Sequence, residues 1–299
     1  MNSKYKSFWC FVLWIPGALS AQQLGHHDIL LFNLNKTTAG IWQAGTPRFL
    51  TAFNPKGYNN QPRFFNDNEL WLTVQKPDDT TQTDIYALDL SAKTVTRITS
   101  TTLTAEYSPT PVPGGKRFSA VRVEEDGNQR LWSFPIDRSD NGKPAFPQLL
   151  NVGYHCWLTD TLVAFFIVGE DDAPHTLQVA GISTQLPRRI ASNIGRCLLK
   201  TADGKLAFVQ KATEQTWFLK SWNPVNNTQD IVLKMPLGSE DFALMPDGTY
   251  LTGIGSSLFY YKPGRDHDWT ELSNLKKYGV KKITRLSTAK DGKLAIVVE

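Results

Sequence analysis

The sequence predicts an all-β protein, a six-bladed β-propeller, on three observations. An Asp-Gly pair followed by an apolar segment recurs every 44 residues, at Asp203-Gly204, Asp247-Gly248 and Asp291-Gly292. Each interval holds four short segments of strand-forming residues separated by turn residues. The two ends of the chain carry complementary halves of one more such unit. Four strands in a repeat of roughly 40 to 45 residues is typical of a propeller blade.

The first 21 residues differ from the rest of the 299-residue chain. Lys4 and Lys6 precede an apolar run over residues 8–15, which ends at Pro16-Gly17. This pattern predicts a secretory signal peptide over residues 1–21, cleaved after Ser20 or Ala21, and a propeller over residues 22–299. The run is too short to cross a bilayer, which needs about 20 apolar residues. We therefore expect a periplasmic or secreted protein with no membrane span.

The second repeat shows the blade pattern most clearly, with predicted strands over residues 62–65, 70–74, 84–89 and 95–99. The third repeat continues with strands over 118–123, 130–134 and 148–150, and three further repeats follow. After the sixth, only strands over 283–287 and 293–299 remain, while the chain begins with strands over 29–33 and 48–51. We predict that the C-terminal pair forms the inner half and the N-terminal pair the outer half of one blade, closing the ring. The Asp-Gly pairs are then turns.

Local catalytic motifs are absent from the sequence. The five histidines show no His-Glu-x-x-His spacing, and there is no Gly-x-Ser-x-Gly elbow or phosphate-binding loop. An active site assembled from separate blades would leave no local motif, so this lowers the expectation of catalysis without excluding it.

A better candidate site is the entry of the innermost strand of each blade, where a polar or ionisable residue recurs. The recurring positions are Asn60, Glu106, His155, Arg196, Asp241 and Arg285, with Tyr58, Tyr107 and Tyr154 nearby. We predict that they form a ring at one mouth of the central channel and bind a polar ligand or the end of a peptide. The alternative is a water-filled channel that is polar without binding a ligand.

A second cluster is acidic and lies in the hairpins between the second and third strands of three successive blades. It comprises Asp78-Asp79, Glu124-Glu125-Asp126 and Glu170-Asp171-Asp172. These hairpins share a face with the channel mouth, so they could hold Ca²⁺ or face a basic partner. The alternative is ordinary solvated turns, and because no run matches a calcium-binding loop we expect no cofactor.

Charge and cysteine content limit the partners and the cross-links. The 32 basic side chains exceed the 28 acidic ones by only four, and the densest basic patch is Lys276-Lys277 with Lys281-Lys282. This balance gives no support to nucleic-acid binding. Signal cleavage would remove Cys10 and leave Cys156 and Cys197, which either form a disulfide between neighbouring blades or remain two small buried thiols.

Several segments resemble the Pro-Asp-Gly-Lys blades of TolB-type propellers, a class with WD40-like repeats. They are Asp84-Ile85-Tyr86-Ala87-Leu88-Asp89-Leu90 with Arg97-Ile98-Thr99, Met245-Pro246-Asp247-Gly248, and Ala289-Lys290-Asp291-Gly292-Lys293-Leu294-Ala295. Tyr107-Ser108-Pro109-Thr110-Pro111, Arg130-Leu131-Trp132 and Ile283-Thr284-Arg285-Leu286 are similar to a functionally uncharacterised group of secreted bacterial propellers of this type. TolB is a periplasmic protein-binding component of an envelope complex. The resemblance therefore implies a protein-binding propeller, here without the α/β domain that precedes the TolB propeller.

Together these features predict a non-enzymatic, monomeric binding propeller that recognises a protein or peptide of the cell envelope at its channel mouth. The alternative is a secreted propeller enzyme, lactonase-like or lyase-like, with a central metal. Arg196 and Arg285 favour the binding protein, because their positive charges would oppose a cation in the channel.

Overall fold

The computed structural model describes residues 24–38 and 40–299, and it is a six-bladed β-propeller as predicted. Each blade is an antiparallel sheet of four strand positions. The signal-peptide prediction lies outside the described residues. Within them, no helix is long and apolar enough to cross a membrane.

Blade 1 joins the two ends of the chain, and blades 2 to 6 follow in chain order. Blade 1 contains β1 (Asp28–Lys36), β2 (Trp42–Ala44), β3 (Arg48–Phe49), β24 (Ile283–Thr288) and β25 (Lys293–Val298). Blade 2 contains β4 (Tyr58–Asn66), β5 (Glu69–Gln75), β6 (Asp84–Asp89) and β7 (Thr94–Arg97). Blade 3 contains β8 (Ala105–Pro111), β9 (Arg117–Val123), β10 (Gln129–Pro135) and β11 (Lys143–Pro144).

Blades 4 to 6 repeat this plan. Blade 4 contains β12 (Val152–Trp157), β13 (Leu162–Ile167), β14 (Thr176–Gly181) and β15 (Arg188–Ser192). Blade 5 contains β16 (Ile194–Lys200), β17 (Leu206–Thr213), β18 (Thr216–Trp222) and β19 (Gln229–Met235). Blade 6 contains β20 (Phe242–Leu244), β21 (Tyr250–Ile254), β22 (Ser257–Tyr261) and β23 (Thr270–Asn274), and a short 3-10 helix, Lys276–Tyr278, follows it.

The predicted ring closure is confirmed. In blade 1 the order of strands from the channel outwards is β24, β25, β1 and then β2 with β3. The junction between the two chain ends is antiparallel, with Leu31 opposite Ala295. The outer position differs from the prediction because two short strands share it: β3 pairs Phe49 with Leu30, and β2 pairs Ala44 with Leu34.

The hydrophobic core lies between adjacent blades. Ile29 and Leu31 of blade 1 pack with Leu70 and Leu72 of blade 2, and all four side chains are almost fully buried. Burial of such side chains on both faces of every sheet is the main stabilising contribution, about 1.5–3 kcal/mol for each large aliphatic residue. Because the blades depend on their neighbours for burial, the ring forms one structural unit.

The Asp-Gly pairs are turns between the first and second strands of a blade, as predicted. At Asp247-Gly248, Gly248 has φ +81°, and its N–H donates to the Met245 carbonyl at 2.8 Å. The Met245 N–H in turn donates to the Thr249 carbonyl at 2.8 Å. A left-handed φ is accessible to glycine without the strain that a Cβ would bring, which explains the recurrence of this residue.

The structure corrects one predicted strand and shows the state of the two cysteines. The outer strand predicted at residues 148–150 was wrong: the short strand β11 lies earlier, at Lys143–Pro144. Pro144 and Pro147 cannot donate to a ladder, which limits pairing here to two residues. Cys156 and Cys197 are both free thiols, so of the two alternatives for this pair the structure shows the unbridged one.

Candidate functional site

The six innermost strands, β4, β8, β12, β16, β20 and β24, surround the central channel. Five of them contain a shift of register against the second strand of the same blade, and β20 does not. A β-bulge turns the following side chains and can direct them toward a site. The bulges therefore decide which side chains line the channel.

The bulges of β4 and β8 are alike. Gln61 has φ +54° and precedes Pro62, and Ser108 has φ +56° and precedes Pro109. The two bulges are also joined, because the Ser108 N–H donates to Gln61 Oε1 at 3.0 Å and to Thr73 Oγ1 at 3.1 Å. These hydrogen bonds hold blades 2 and 3 in a fixed relation at the channel.

Four side chains from four blades meet in the channel, and we call Tyr154, Arg196, Asp241 and Arg285 the channel cluster. Arg196 Nε donates to Asp241 Oδ2 at 2.8 Å, and Arg285 Nη1 lies 3.6 Å from Asp241 Oδ1. Arg196 also donates to the Thr284 carbonyl at 3.1 Å. One carboxylate contacts two guanidinium groups and neutralises only one of their two charges. The cluster therefore carries a net positive charge.

Arg285 connects this group to the opposite side of the ring. Its Nη2 donates to the Tyr154 hydroxyl at 2.7 Å. Burial acts to lower the pKa of Arg285, but Tyr154, Asp241 and Tyr58 outweigh burial and raise that pKa. For Tyr58 the effect of burial has the opposite sign: it raises the pKa of the phenol, which therefore remains neutral near Arg285. The guanidinium of Arg285 is consequently a permanent cation within the channel.

His155 is predominantly buried, with 7% of its surface exposed. Its Nε2 lies 2.7 Å from Ser119 Oγ, which also accepts a hydrogen bond of 2.9 Å from Trp157 Nε1. Burial, followed by the charge of Arg63, lowers the pKa of His155 to about 3. The imidazole is therefore neutral at physiological pH, and its Nδ1 has no partner within the described chain.

The other predicted residues occupy different surroundings. The Glu106 side chain is fully buried away from the mouth, where it accepts hydrogen bonds from Arg122 Nε at 2.8 Å and from Thr101 and Thr104. Asn60 is buried and accepts the Gln61 N–H at 2.8 Å. Tyr107 packs against the core between blades 3 and 4.

The structure thus brings Arg196, Asp241 and Arg285 together, with His155 in the same cavity. Glu106 does not reach it: its carboxylate is directed to Arg122 of the neighbouring strand. That pair is a buried structural ion pair, and removing one partner would leave a buried charge unbalanced.

A residue that the sequence did not single out, Arg63, lies between two consecutive cavities of the channel. One, of about 100 Å³, contains the channel cluster together with Ser108 and His155. The other, of about 300 Å³, opens toward the turns between first and second strands and is lined by Arg63, Asp67, Lys200 and Lys290. In the sequence, the feature that could have indicated Arg63 is the pair of inner-strand prolines, Pro62 and Pro109. These prolines mark the bulges that reorient nearby side chains.

The acidic hairpins are partly used in local structure. Glu124 accepts a hydrogen bond from Trp132 Nε1 at 2.7 Å and pairs with Arg130, and Glu170 accepts one from Asn151 at 2.8 Å. Hydrogen bonds from Asn128 lower the pKa of Asp126. Over residues 24–38 and 40–299, no group of three or more His, Cys, Asp or Glu side chains is placed to hold a metal ion.

Comparison with known proteins identifies the fold class, a β-propeller, and no particular protein. No family model matches the chain, and no curated protein matches it. Among solved structures, a putative TolB from Agrobacterium tumefaciens superimposes with a TM-score of 0.66 at 11% identity, covering 92% of this chain and 98% of that one. A chain of a nidogen/laminin complex gives 0.63 at 11% identity, covering 87% and 97%.

TolB from Acinetobacter baumannii gives a TM-score of 0.58 at 14% identity. The match covers 92% of this chain but 64% of TolB, so the similarity is confined to part of that protein. At these identities the comparisons show a six-bladed, TolB-like propeller fold and leave the function to be argued from the site.

Proposed function

We propose that this protein is a binding propeller that recognises a protein or peptide at its channel mouth. The channel cluster carries this proposal, because four blades contribute side chains already held in place by mutual hydrogen bonds. Side chains that are already held in place lose little conformational entropy when a ligand binds. Each guanidinium has five N–H donors, so Arg196 and Arg285 can donate to a ligand besides the contacts described above.

The cavity that contains the channel cluster is smaller than a usual small-molecule site, and a second cavity of about 300 Å³ continues along the channel. About 100 Å³ is available beside the cluster. Small-molecule sites usually enclose roughly 300–1,000 Å³. A side chain or chain end fits this space, while the rest of a protein partner would contact the loops around the mouth.

The enzyme alternative, a lactonase-like or lyase-like propeller with a central metal, receives no specific support from the site. The channel carboxylate, Asp241, is already engaged by Arg196 and Arg285. Both arginines would oppose a cation at this position.

A displayed random-peptide library, selected on the immobilised protein, tests the proposal. We expect enriched peptides that the double variant Arg196→Gln/Arg285→Gln no longer retains. The matched control is Arg188→Gln/Arg265→Gln, which removes two charges from exposed arginines outside the channel. Failure to enrich any peptide, or equal retention by the channel variant, would contradict the proposal.

We also infer that the protein works in the periplasm or is secreted, on the basis of the signal-peptide pattern in residues 1–21. Expression of the full chain followed by mass spectrometry of the periplasmic fraction tests this. The expected mature protein begins at Ala21 or Gln22. An intact chain that still begins at Met1 and stays in the cytoplasm would contradict it.

A further inference from the structure

We propose that Arg63, Ser108 and His155 form a carboxylate-binding site within the channel, in the cavity that also contains the channel cluster. The proposal does not depend on the proposed function, since a free carboxylate ion could occupy the site without any peptide partner. All three residues line the cavity of about 100 Å³. Each offers hydrogen-bond donors with no acceptor among the described residues.

Arg63 provides the charge. Arg196 and Arg285 both meet Asp241, whereas Arg63 makes no ion pair within residues 24–38 and 40–299. Its side chain nevertheless lines both cavities of the channel, and its charge contributes to the lowered pKa of His155. A guanidinium in partly buried surroundings is stabilised by an opposite charge, and a carboxylate matches its two parallel N–H groups.

His155 provides a directed donor. Ser119 Oγ accepts from Trp157, and its single proton has two possible acceptors, His155 Nε2 at 2.7 Å and the Thr110 carbonyl at 3.3 Å. As part of this proposal we place the Ser119 proton on the shorter contact, toward Nε2, which puts the proton of the neutral imidazole on Nδ1. This buried Nδ1–H has no partner in the described chain.

Ser108 provides the third donor. Its Oγ is buried and likewise lacks a partner among the described residues, although its backbone N–H is satisfied by Gln61 and Thr73. Buried polar atoms without partners are rare, and two of them in residues that line one cavity call for an explanation. A carboxylate explains both, because its two oxygens accept several hydrogen bonds at once.

The channel charge supports an anion as the occupant. Along the two consecutive cavities, the cations are Arg63, Lys200, Arg196, Arg285 and Lys290, against the carboxylates Asp67 and Asp241. A passage lined by one sign of charge concentrates ions of the opposite sign. Arg63 has no carboxylate partner among the described residues, and a carboxylate monoanion would balance its charge.

Nuclear magnetic resonance of ¹⁵N-histidine-labelled protein tests the site, with acetate, inorganic phosphate, a tripeptide acid and the same tripeptide as its amide as probes. We expect saturable shifts of the His155 nitrogens with acetate. A tripeptide acid that binds more tightly than acetate would identify a chain end as the source, whereas equal or weaker binding would identify a small free acid. The amide should not bind.

Arg63→Met should weaken acetate binding about tenfold or more, as expected for loss of a charge-assisted contact. Ser108→Ala is a milder second variant and should weaken it several-fold. The matched control, Arg188→Met, should bind acetate normally. Absence of saturable shifts with acetate, tighter binding of phosphate than of acetate, or unchanged affinity in a folded Arg63→Met would each overturn the proposal.

Discussion

Arg285 on β24 donates a hydrogen bond of 2.7 Å to the hydroxyl of Tyr154 on β12, 131 residues earlier in the chain. The two strands belong to blades 1 and 4, which face each other across a ring of six. This contact crosses the channel and makes the opposite inner strands parts of one polar network. The cavity that both residues line has a volume of about 100 Å³.

Removing this bridge should destabilise the propeller by a modest amount. Tyr154→Phe deletes the hydroxyl that accepts from Arg285, and we expect a loss of about 1 kcal/mol in the free energy of unfolding. Urea denaturation measures it. A double-mutant cycle with Arg285→Met should give a coupling energy of about 0.5–3 kcal/mol, and additive effects would show that the contact contributes nothing.

Glu106 should prove structural and not part of the mouth. Because its buried carboxylate pairs with Arg122, Glu106→Gln should cost about 3 kcal/mol of stability. Glu125→Gln, in an exposed hairpin, should change stability by less than about 0.5 kcal/mol. Similar small effects at both positions, measured by chemical denaturation, would be inconsistent with the buried pair.

Acid should weaken the contact between blade 6 and the closing blade. Partial burial acts to raise the pKa of Asp247, but Lys36, whose Nζ lies 2.7 Å away, and the Thr249 N–H lower it from 3.8 to about 2. The folded state then binds its proton less readily than the unfolded chain, so this contribution is complete above pH 3.8 and is lost as the pH falls through about 2.

Asp247→Asn should accordingly flatten the pH dependence of the free energy of unfolding over that acidic range and cost about 1 kcal/mol at neutral pH. Asp268→Asn, on an exposed turn of the same blade, is the matched control. An unchanged slope in Asp247→Asn would contradict the role of the Lys36 pair.

Two Asp-Gly turns should respond differently to the same substitution. Gly204 and Gly292 have φ of +82° and +90°, so alanine is strained at both, by about 1 kcal/mol. A Cβ at Gly204 would meet nothing within 4 Å, whereas at Gly292 it would lie 2.9 Å from the backbone oxygen of Leu34. Gly292→Ala should therefore lower the melting temperature more, and equal effects would contradict this account.

The two cysteines should be unreactive in the folded protein. Burial, followed by the charge of Asp241, raises the pKa of Cys197 to about 12, and burial also raises that of Cys156. Since the thiolate is the reactive form, alkylation by iodoacetamide at pH 8, followed by mass spectrometry, should modify both only after unfolding. Rapid alkylation of the native protein would contradict the raised pKa values of these thiols.

The blade count and ring closure could be predicted because turn chemistry and strand periodicity are local properties. The turn at Asp203-Gly204 and its repeats require a glycine with a left-handed φ. The spacing of these Asp-Gly pairs was therefore enough to locate the blades. The outer strand of blade 3 was misplaced, since edge positions have few side-chain contacts and depend on where Pro144 and Pro147 interrupt pairing.

The channel was only partly predictable, because it depends on bulges. The recurrence of a polar residue at the entry of each innermost strand drew attention to Arg196, Asp241 and Arg285, which the structure brings together. It gave no account of Arg63 and Ser108, whose placement follows the bulges at Gln61 and Ser108. It also missed that Glu106 lies opposite Arg122 on the next strand, where the nearest cation determines the direction of the carboxylate.

Calorimetric titration of a selected peptide into the unmodified protein and into two single variants tests the central claim, binding at the channel cluster, most directly. Arg196→Gln should weaken binding about tenfold or more, because it removes a guanidinium at the mouth. Arg188→Gln, at an exposed position on blade 4, should leave the affinity unchanged. Equal affinity in all three proteins would show that the peptide binds elsewhere and would contradict the account.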